Sequence, residues 1–360
     1  MARRLLGNSV TDSIIAEGGK IGLRRSCKLR WRFSRLDREF KHGVGWLERS
    51  LRAYQQQISP LAAPLVLISQ LECSGGALLT QLLDGHPELH VHPGELQIGY
   101  PERDTWPKID LDKTPLEWFE ILFEDSVVDY FRDGFGKLES CQDSFLFIFL
   151  PPLQRDLFVK YLPTLDSITL RDVFDAYMTS YFGAWVNNQN MVGEKRFITA
   201  LASELAHTDE NMESYFEIYP EGRLISVIRE PQDWYFSARD CCHDKFADLR
   251  QALSQWNKSA AAVLRNRQKY GQRVCLILFE DLLERTEVVM RYLAEFLGVC
   301  FDDILLTPTF NKNPLKETSN FGHGESKIRD IAPEDSGIIE EMTGEVYKKV
   351  LEQAAAISGA

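Results

Sequence analysis

Pro64-Leu-Val-Leu-Ile-Ser-Gln-Leu-Glu-Cys-Ser-Gly-Gly-Ala-Leu-Leu-Thr-Gln-Leu-Leu-Asp-Gly-His-Pro87 reads as a strand, a glycine turn and the opening of a helix. Leu65 to Ile68 is a continuous apolar run, the pattern of a strand buried on both faces. Leu78, Leu79, Leu82 and Leu83 recur at helical spacing. Between them, Ser74-Gly75-Gly76 is suited to aim backbone N–H groups and a helix N-terminus at an anion. A Walker A loop is excluded, because the Lys-Ser/Thr pair that neutralises phosphate and holds Mg²⁺ is replaced by Gly76-Ala77.

Three more apolar runs are strand candidates: Met191 to Gly193, Leu224 to Ile228 and Val274 to Phe279. A helical pattern follows each, and strand-helix alternation predicts a parallel sheet with helices on both faces. Residues 90 to 190 exceed what one crossover needs. They are rich in aromatics (Trp106, Trp118, Phe119, Tyr177, Tyr181, Phe182, Trp185), which predicts a mostly helical insertion that covers the site, with most rings forming its core. Gly45 to Ile58 reads as a helix ending near Ser59-Pro60.

The strand Arg223 to Ile228 runs into Arg229-Glu-Pro-Gln-Asp-Trp-Tyr-Phe-Ser237. Open parallel sheets bind ligands at the carboxyl ends of their strands, so Arg229 is well placed. Pro231 suits a first helical turn, with Ser237 about two turns in. A guanidinium fork and a hydroxyl are thus set to close on one phosphate.

The motifs together resemble those of the sulfotransferases that use 3′-phosphoadenosine 5′-phosphosulfate. The family's 5′-phosphosulfate loop is Arg/Lys-Ser-Gly-Thr-Thr-Leu-Leu with a following Leu-Leu-Asp-x-His-Pro. Ser74, Gly75, Leu78, Leu79, Leu82, Leu83, Asp84, His86 and Pro87 match, while Cys73 stands at the base and Gly76 and Ala77 at the hydroxyls. Arg229 to Ser237 resembles the 3′-phosphate motif Arg-Asp-Pro-x-Asp-x-x-x-Ser, with Glu230 as the one change. Glu194-Lys195 resembles an upstream Glu-Lys-Thr-Pro, Phe279 to Leu282 a Tyr-Glu-Asp-Leu, and Asn313-Pro314 with Thr318 to Phe321 a late Asn-Ser-Ser-Phe loop.

The resemblance spans about Pro64 to Phe321. It implies a three-layer P-loop-like α/β fold with a helical lid insertion, residues 61–345, preceded by a basic helical extension at 1–60 and followed by a helix end and tail at 346–360. It implies transfer of a sulfuryl group, without a metal, from 3′-phosphoadenosine 5′-phosphosulfate to a hydroxyl or amine of a small molecule, sugar or lipid. Cys73, Ser74, Gly75, Gly76, Ala77 and Leu78 would then hold the 5′-phosphosulfate, and Arg229 with Ser237 the 3′-phosphate. In Glu88 to Glu95, just beyond the helix that follows the turn, Glu95 matches a family carboxylate fit to act as general base, with His92 close by.

Cys73 opposes turnover, since a neutral thiol cannot offset charge on a leaving phosphate. One such contact is typically worth about 2.7–4 kcal/mol, or roughly 10²–10³ in rate. Lys195 supplies the charge if the second strand brings it near the loop, and Arg196 and Arg239 are further candidates. Three readings stay open: a working enzyme with relocated charge, a pseudoenzyme kept as a nucleotide-binding or scaffolding module, and a different nucleotide-dependent transferase.

Composition agrees with a folded body that is acidic. Residues 1–60 hold 13 Lys/Arg against 5 Asp/Glu, and the remainder 28 against 48. Such a body disfavours nucleic acid. The arm Arg24 to Arg35 interleaves cations with Leu29, Trp31 and Phe33, and reads as a solvated helical extension or a peripheral contact with membrane or protein. The longest apolar run, Phe145 to Leu150, is too short to span a bilayer, and no secretory h-region follows Arg3-Arg4, which predicts a cytoplasmic protein. The seven cysteines form no C-x-x-C pair, and Cys241-Cys242-His243 lacks metal-ligand spacing, so reduced thiols and no zinc are expected.

Overall fold

In the computed structural model, the described residues are 38, 45–46, 49–50, 52–98, 105–133, 145–163, 168–315 and 333–354. The chain divides into two units, Met1–Ser59 and Pro60–Ala360. In the first, residues 52–57 are helical. The basic arm at 24–35 and the late segment Thr318 to Phe321 lie outside the described residues.

The second unit runs β1 (Leu65–Ile68), α1 (Gly76–Leu83), β2 (Leu89–Glu95), α2 (Pro115–Leu122), α3 (Ser126–Asp133), α4 (Pro151–Tyr161), α5 (Leu170–Ala184), β3 (Phe197–Leu201), α6 (Asp209–Ile218), β4 (Arg223–Ile228), α7 (Pro231–Cys241), α8 (His243–Phe246), α9 (Leu249–Tyr270), β5 (Val274–Leu278), α10 (Phe279–Glu284), α11 (Thr286–Leu297), β6 (Thr309–Phe310), β7 (Asn313–Pro314) and α12 (Pro333–Ala354). Strands β1 to β5 form one sheet in the order β2-β3-β1-β4-β5. Every pairing in it is parallel.

Alternation along the strands builds the three layers. Val66, Ile68, Val91, Ile225, Val227, Cys275 and Ile277 face α1 and α11 in one apolar cluster. Ile228 and Leu276 face the other way, with Trp234 and Ala238 of α7, Trp256 and Val263 of α9 and Val350 of α12. Side chains two apart share a face, so both layers follow from period-two patterning on strands buried on both sides.

The insertion is helical, as expected. Helix α2 opens on a capping box between Thr114 and Glu117, with Pro115 at its first position, and α5 on a box between Thr169 and Asp172. Trp106, Trp118, Phe119, Tyr177, Tyr181, Phe182 and Trp185 are buried as the insertion's core. Tyr181 alone touches His92, Phe149 and Phe182.

The strand expectations need correction at two places. Met191 to Gly193 is not a strand; β3 begins four residues later, at Phe197. Leu89–Glu95, not among the strand candidates, forms the edge strand β2. Leu89 and Val91 face the core while His90 and His92 lie against Phe182 and Tyr181 of α5. Leu89-His90-Val91-His92 alternates apolar and polar residues with period two, but the polar face is covered as well, by the aromatic rings that receive the two histidines.

Candidate functional site

The turn between β1 and α1 is held open by glycine. Gly75 caps α1 at φ 105, ψ 4, and no side chain caps the helix start. A Cβ on Gly75 would lie 2.2 Å from the ring of Phe279, and one on Gly76 2.1 Å from Gln70 Nε2. The turn is therefore a closely packed backbone wall with no room for a side chain at either glycine. No acidic residue lies in the first turn of α1, so the positive end of the helix faces no fixed opposing charge from its own side chains.

Phe279 joins the two predicted anion sites. It opens α10 directly after β5, and the Arg229 guanidinium stands over its ring, 4.7 Å from the centroid. One ring thus touches Gly75 and carries Arg229. The carbonyl of Arg229 accepts from Trp256 Nε1 at 3.1 Å, and the carbonyl of Glu72 accepts from Trp234 Nε1 at 2.8 Å. Turn and strand end are both pinned to the α7–α9 layer. Ser237 lies two turns into α7 and is half-buried.

Carboxylates surround Arg229. The Glu230 side chain caps α7 by accepting from Asp233 N at 2.8 Å, and Glu280 accepts from Glu230 N at 2.9 Å. Burial raises both carboxyls above the ordinary range, against the pull of the Arg229 charge. Tyr347 of α12 is near enough for both to raise its phenol, after burial.

Glu95 reaches the same edge of the sheet. It pairs with Leu201, which lies opposite Ile68 at the end of β1, and Leu201 also packs against Gly76. The register shift between Val91 and Glu95 turns the carboxylate to accept from Ser203 N at 3.1 Å. Glu95 is half-buried, with one edge toward solvent.

Lys195 and His92 are not brought to the turn. Lys195 precedes β3 at the amino end of the sheet, where Nζ donates to Pro87 O at 2.7 Å and to Asn190 Oδ1 at 3.0 Å. Burial, together with the charge of Lys312, pulls its ammonium down to about 8. In a parallel sheet that end is the one opposite the turn, so the expected relocation of charge through Lys195 is not met. Arg196 is held at the same far end by Glu88 at 3.2 Å. Arg239 stands over Tyr235 and Phe236 on α7.

His92 is 1% exposed and forms an ion pair with Glu124 at 3.2 Å. Glu124 also accepts from Tyr177 Oη at 2.9 Å and Gln97 N at 2.9 Å. Burial pushes the imidazole down, but the charge and hydrogen bond of Glu124 outweigh it and the net direction is up. His92 is sealed against acceptors and fastens β2 to the insertion.

Several residues at the site escaped the sequence. Lys245 brings a cation beside the turn, paired with Glu72 at 3.2 Å and Glu204 at 2.7 Å. Gln70 is 2% exposed against Gly76, and its Oε1 has no hydrogen-bond partner among the described residues. Leu71 N donates to Ser259 Oγ at 3.2 Å, which meets His207 Nε2 at 2.9 Å. Only Gln70 carried a signal, as the second of two polar residues that follow an apolar strand. The matched Asp84 and His86 prove to be fasteners: Asp84 accepts from Thr309 Oγ1 and Lys312 N, and His86 Nε2 meets Cys300 O at 2.8 Å.

The fold and this edge define an α/β protein with a glycine turn and an arginine-bearing strand end at the carboxyl edge of a parallel sheet. Residues 160–303, which contain Arg229 and Ser237 but not the turn, match the model of the sulfotransferase family. Over that two-fifths of its length the chain is thus similar to the sulfotransferase family. No curated protein matches the sequence. Among solved structures it is similar to the sulfotransferase domain from the curacin biosynthetic pathway, at 17% identity and TM-score 0.47 over 79% of this chain and 99% of that one. It is similar also to a sulfotransferase from Alicyclobacillus acidocaldarius, at 18% identity and TM-score 0.43 over 82% and 96%. A mouse sulfotransferase, SULT7A1, solved with PAP, gives 12% identity and TM-score 0.30 over 77% and 91%. Among the described residues no helix is long and apolar enough to cross a membrane.

Proposed function

We propose that this chain binds 3′-phosphoadenosine 5′-phosphosulfate across the carboxyl edge of its sheet and transfers the sulfuryl group to a hydroxyl or amine of a small-molecule, sugar or lipid acceptor. The observation that carries the reading is Phe279, which packs on Gly75 and supports Arg229, so that two anion sites share one wall. The residues fit the nucleotide: the uncapped start of α1 suits the 5′-phosphosulfate, and Arg229 with Ser237 suits the 3′-phosphate. The bound donor would supply the activated sulfuryl group. The N–H groups of Ser74 to Leu78 would bind and orient its oxygens, which is where electrostatic stabilisation is worth most. Glu95, oriented by Ser203 N, would accept the acceptor's proton at its free oxygen. The insertion would exclude water and shape the acceptor site.

A second reading rests on Cys73. Burial raises its thiol, so it stays neutral where the family places a base, and Lys195 does not replace it. A nucleotide-binding module without turnover follows if nothing else supplies that charge.

Calorimetry with 3′-phosphoadenosine 5′-phosphate separates the readings, with Arg229→Ala as control. Binding lost by at least tenfold in the variant, with transfer of labelled sulfate to any member of a broad acceptor panel, is the result expected. Arg229-dependent binding without transfer would favour the binding module. Absence of binding at millimolar nucleotide would overturn both.

A further inference from the structure

Cys73, Cys241 and Cys242, far apart in sequence, meet beside the turn, with their three sulfurs within 4.8 Å of one another. We propose that this trio is a thiolate site for a soft divalent metal ion of the zinc class. The sequence expectation of no metal considered only Cys241-Cys242-His243, whose spacing is wrong. The third ligand comes from the turn instead.

Local backbone accounts for the convergence. Cys73 adopts φ 64, in the left-handed region that residues other than glycine rarely enter, and this aims its side chain away from the β1–α1 path. Cys241 is the last residue of α7, and Cys242 caps the helix at φ −134, ψ 57. In a continued helix consecutive side chains diverge by roughly 100°, so adjacent thiols would not share a ligand. The helix ends at this pair, and both thiols lie beside that of Cys73.

The spacing suits a metal better than a disulfide. Metal–sulfur bonds of about 2.3 Å in a tetrahedron place sulfurs roughly 3.8 Å apart. The trio therefore contracts by at most about 1 Å to bind, whereas a disulfide requires about 2.05 Å between two of the sulfurs. In binding, each thiol gives up its proton to solvent, and three metal–sulfur bonds form with no change in oxidation state. Soft thiolates select zinc-class ions over magnesium or calcium. The complex carries net charge −1, three thiolates against two positive charges, at the start of α1. If the proposed nucleotide site holds, metal loading opposes binding of the phosphosulfate there.

The test uses the full chain, reduced and anaerobic, titrated with cobalt(II) without nucleotide, so that its outcome is independent of the proposed transferase reading. A near-ultraviolet thiolate-to-cobalt absorption, displaced by zinc, is expected. It should vanish in Cys73→Ser and in Cys241→Ser/Cys242→Ser, both shown folded by circular dichroism. It should persist in Cys275→Ser and His243→Ala. Zinc should also protect three thiols of the native wild type from a thiol reagent, a readout that needs no variant. Lack of the absorption at millimolar cobalt, or its survival in folded Cys73→Ser, overturns the proposal. Formation of a Cys73–Cys241 or Cys73–Cys242 disulfide under mild diamide, without metal uptake, would overturn it in favour of a redox pair.

Discussion

Gly75→Ala tests whether one ring couples the turn to the strand-end arginine. The substitution introduces two separable costs. At φ 105 a Cβ is disfavoured by the backbone itself, by about 1–2 kcal/mol. The new methyl would also lie 2.2 Å from Phe279 Cδ2 and 2.6 Å from Cε2, which forces the ring to move. Overpacking of this kind typically costs about 1–3 kcal/mol. Together they predict a loss of about 2–5 kcal/mol, a large share of the roughly 5–15 kcal/mol by which domains are stable. Gly298→Ala isolates the first cost, because Gly298 has φ 68 and nothing within 4 Å of its added Cβ. Urea unfolding of the two variants should therefore differ by the ring contact alone. Since Arg229 rests on the same ring at 4.7 Å, displacing it should also weaken 3′-phosphoadenosine 5′-phosphate binding in Gly75→Ala and leave it intact in Gly298→Ala. Equal stability in the two variants, or unchanged nucleotide affinity in Gly75→Ala, would refute the coupling.

Glu124→Ala should cost about 3–5 kcal/mol in urea unfolding, because it strips the partner from a buried histidine. The His92 imidazole should then titrate lower by NMR, burial being unopposed; an unmoved titration would show that Glu124 does not set it. His207, held by burial at about 4, is neutral in the folded protein and titrates near 6.5 once unfolded. Its contribution is present above about 6.5 and is lost as pH falls through 4, to a limit of about 3 kcal/mol. Urea midpoints followed from pH 7.5 to 4 should accordingly fall further in the wild type than in His207→Gln, and parallel curves would count against this role. Lys245→Met should remove the cation beside Glu72 and Glu204 and weaken nucleotide binding by several-fold, which calorimetry would read; unchanged affinity would leave the turn to its backbone donors alone.

Local chemistry dictated much of this molecule. The run Leu65 to Ile68 followed by Ser74-Gly75-Gly76 specified a buried strand and a tight turn, because only glycine accepts φ 105 without strain and only apolar residues tolerate burial on both faces. Arg229-Glu-Pro fixed a strand end and a helix start within three residues. Proline presets the first helical φ, and the Glu230 side chain accepts from the orphan N–H of Asp233. These signals lie within a few residues of one another, and a single sequence can display them.

The remainder depended on which segments the fold brings together. Register decided Lys195, since β3 starts at Phe197 and leaves that lysine at the wrong end of the sheet. His92 looked like a base beside Glu95, but Glu124 lies 32 positions away and claims it inside the insertion. Phe279 looked like the end of a strand, yet it forms the wall between Gly75 and Arg229. Cys73 meets Cys241 and Cys242 across more than 160 residues of chain because β1 and β4 are neighbours in the sheet and each feeds its following segment to the same edge. Turns and caps are decided by dihedral preferences and near neighbours. Charge placement, access and ligand sets are decided by packing between distant segments, which only the assembled sheet defines.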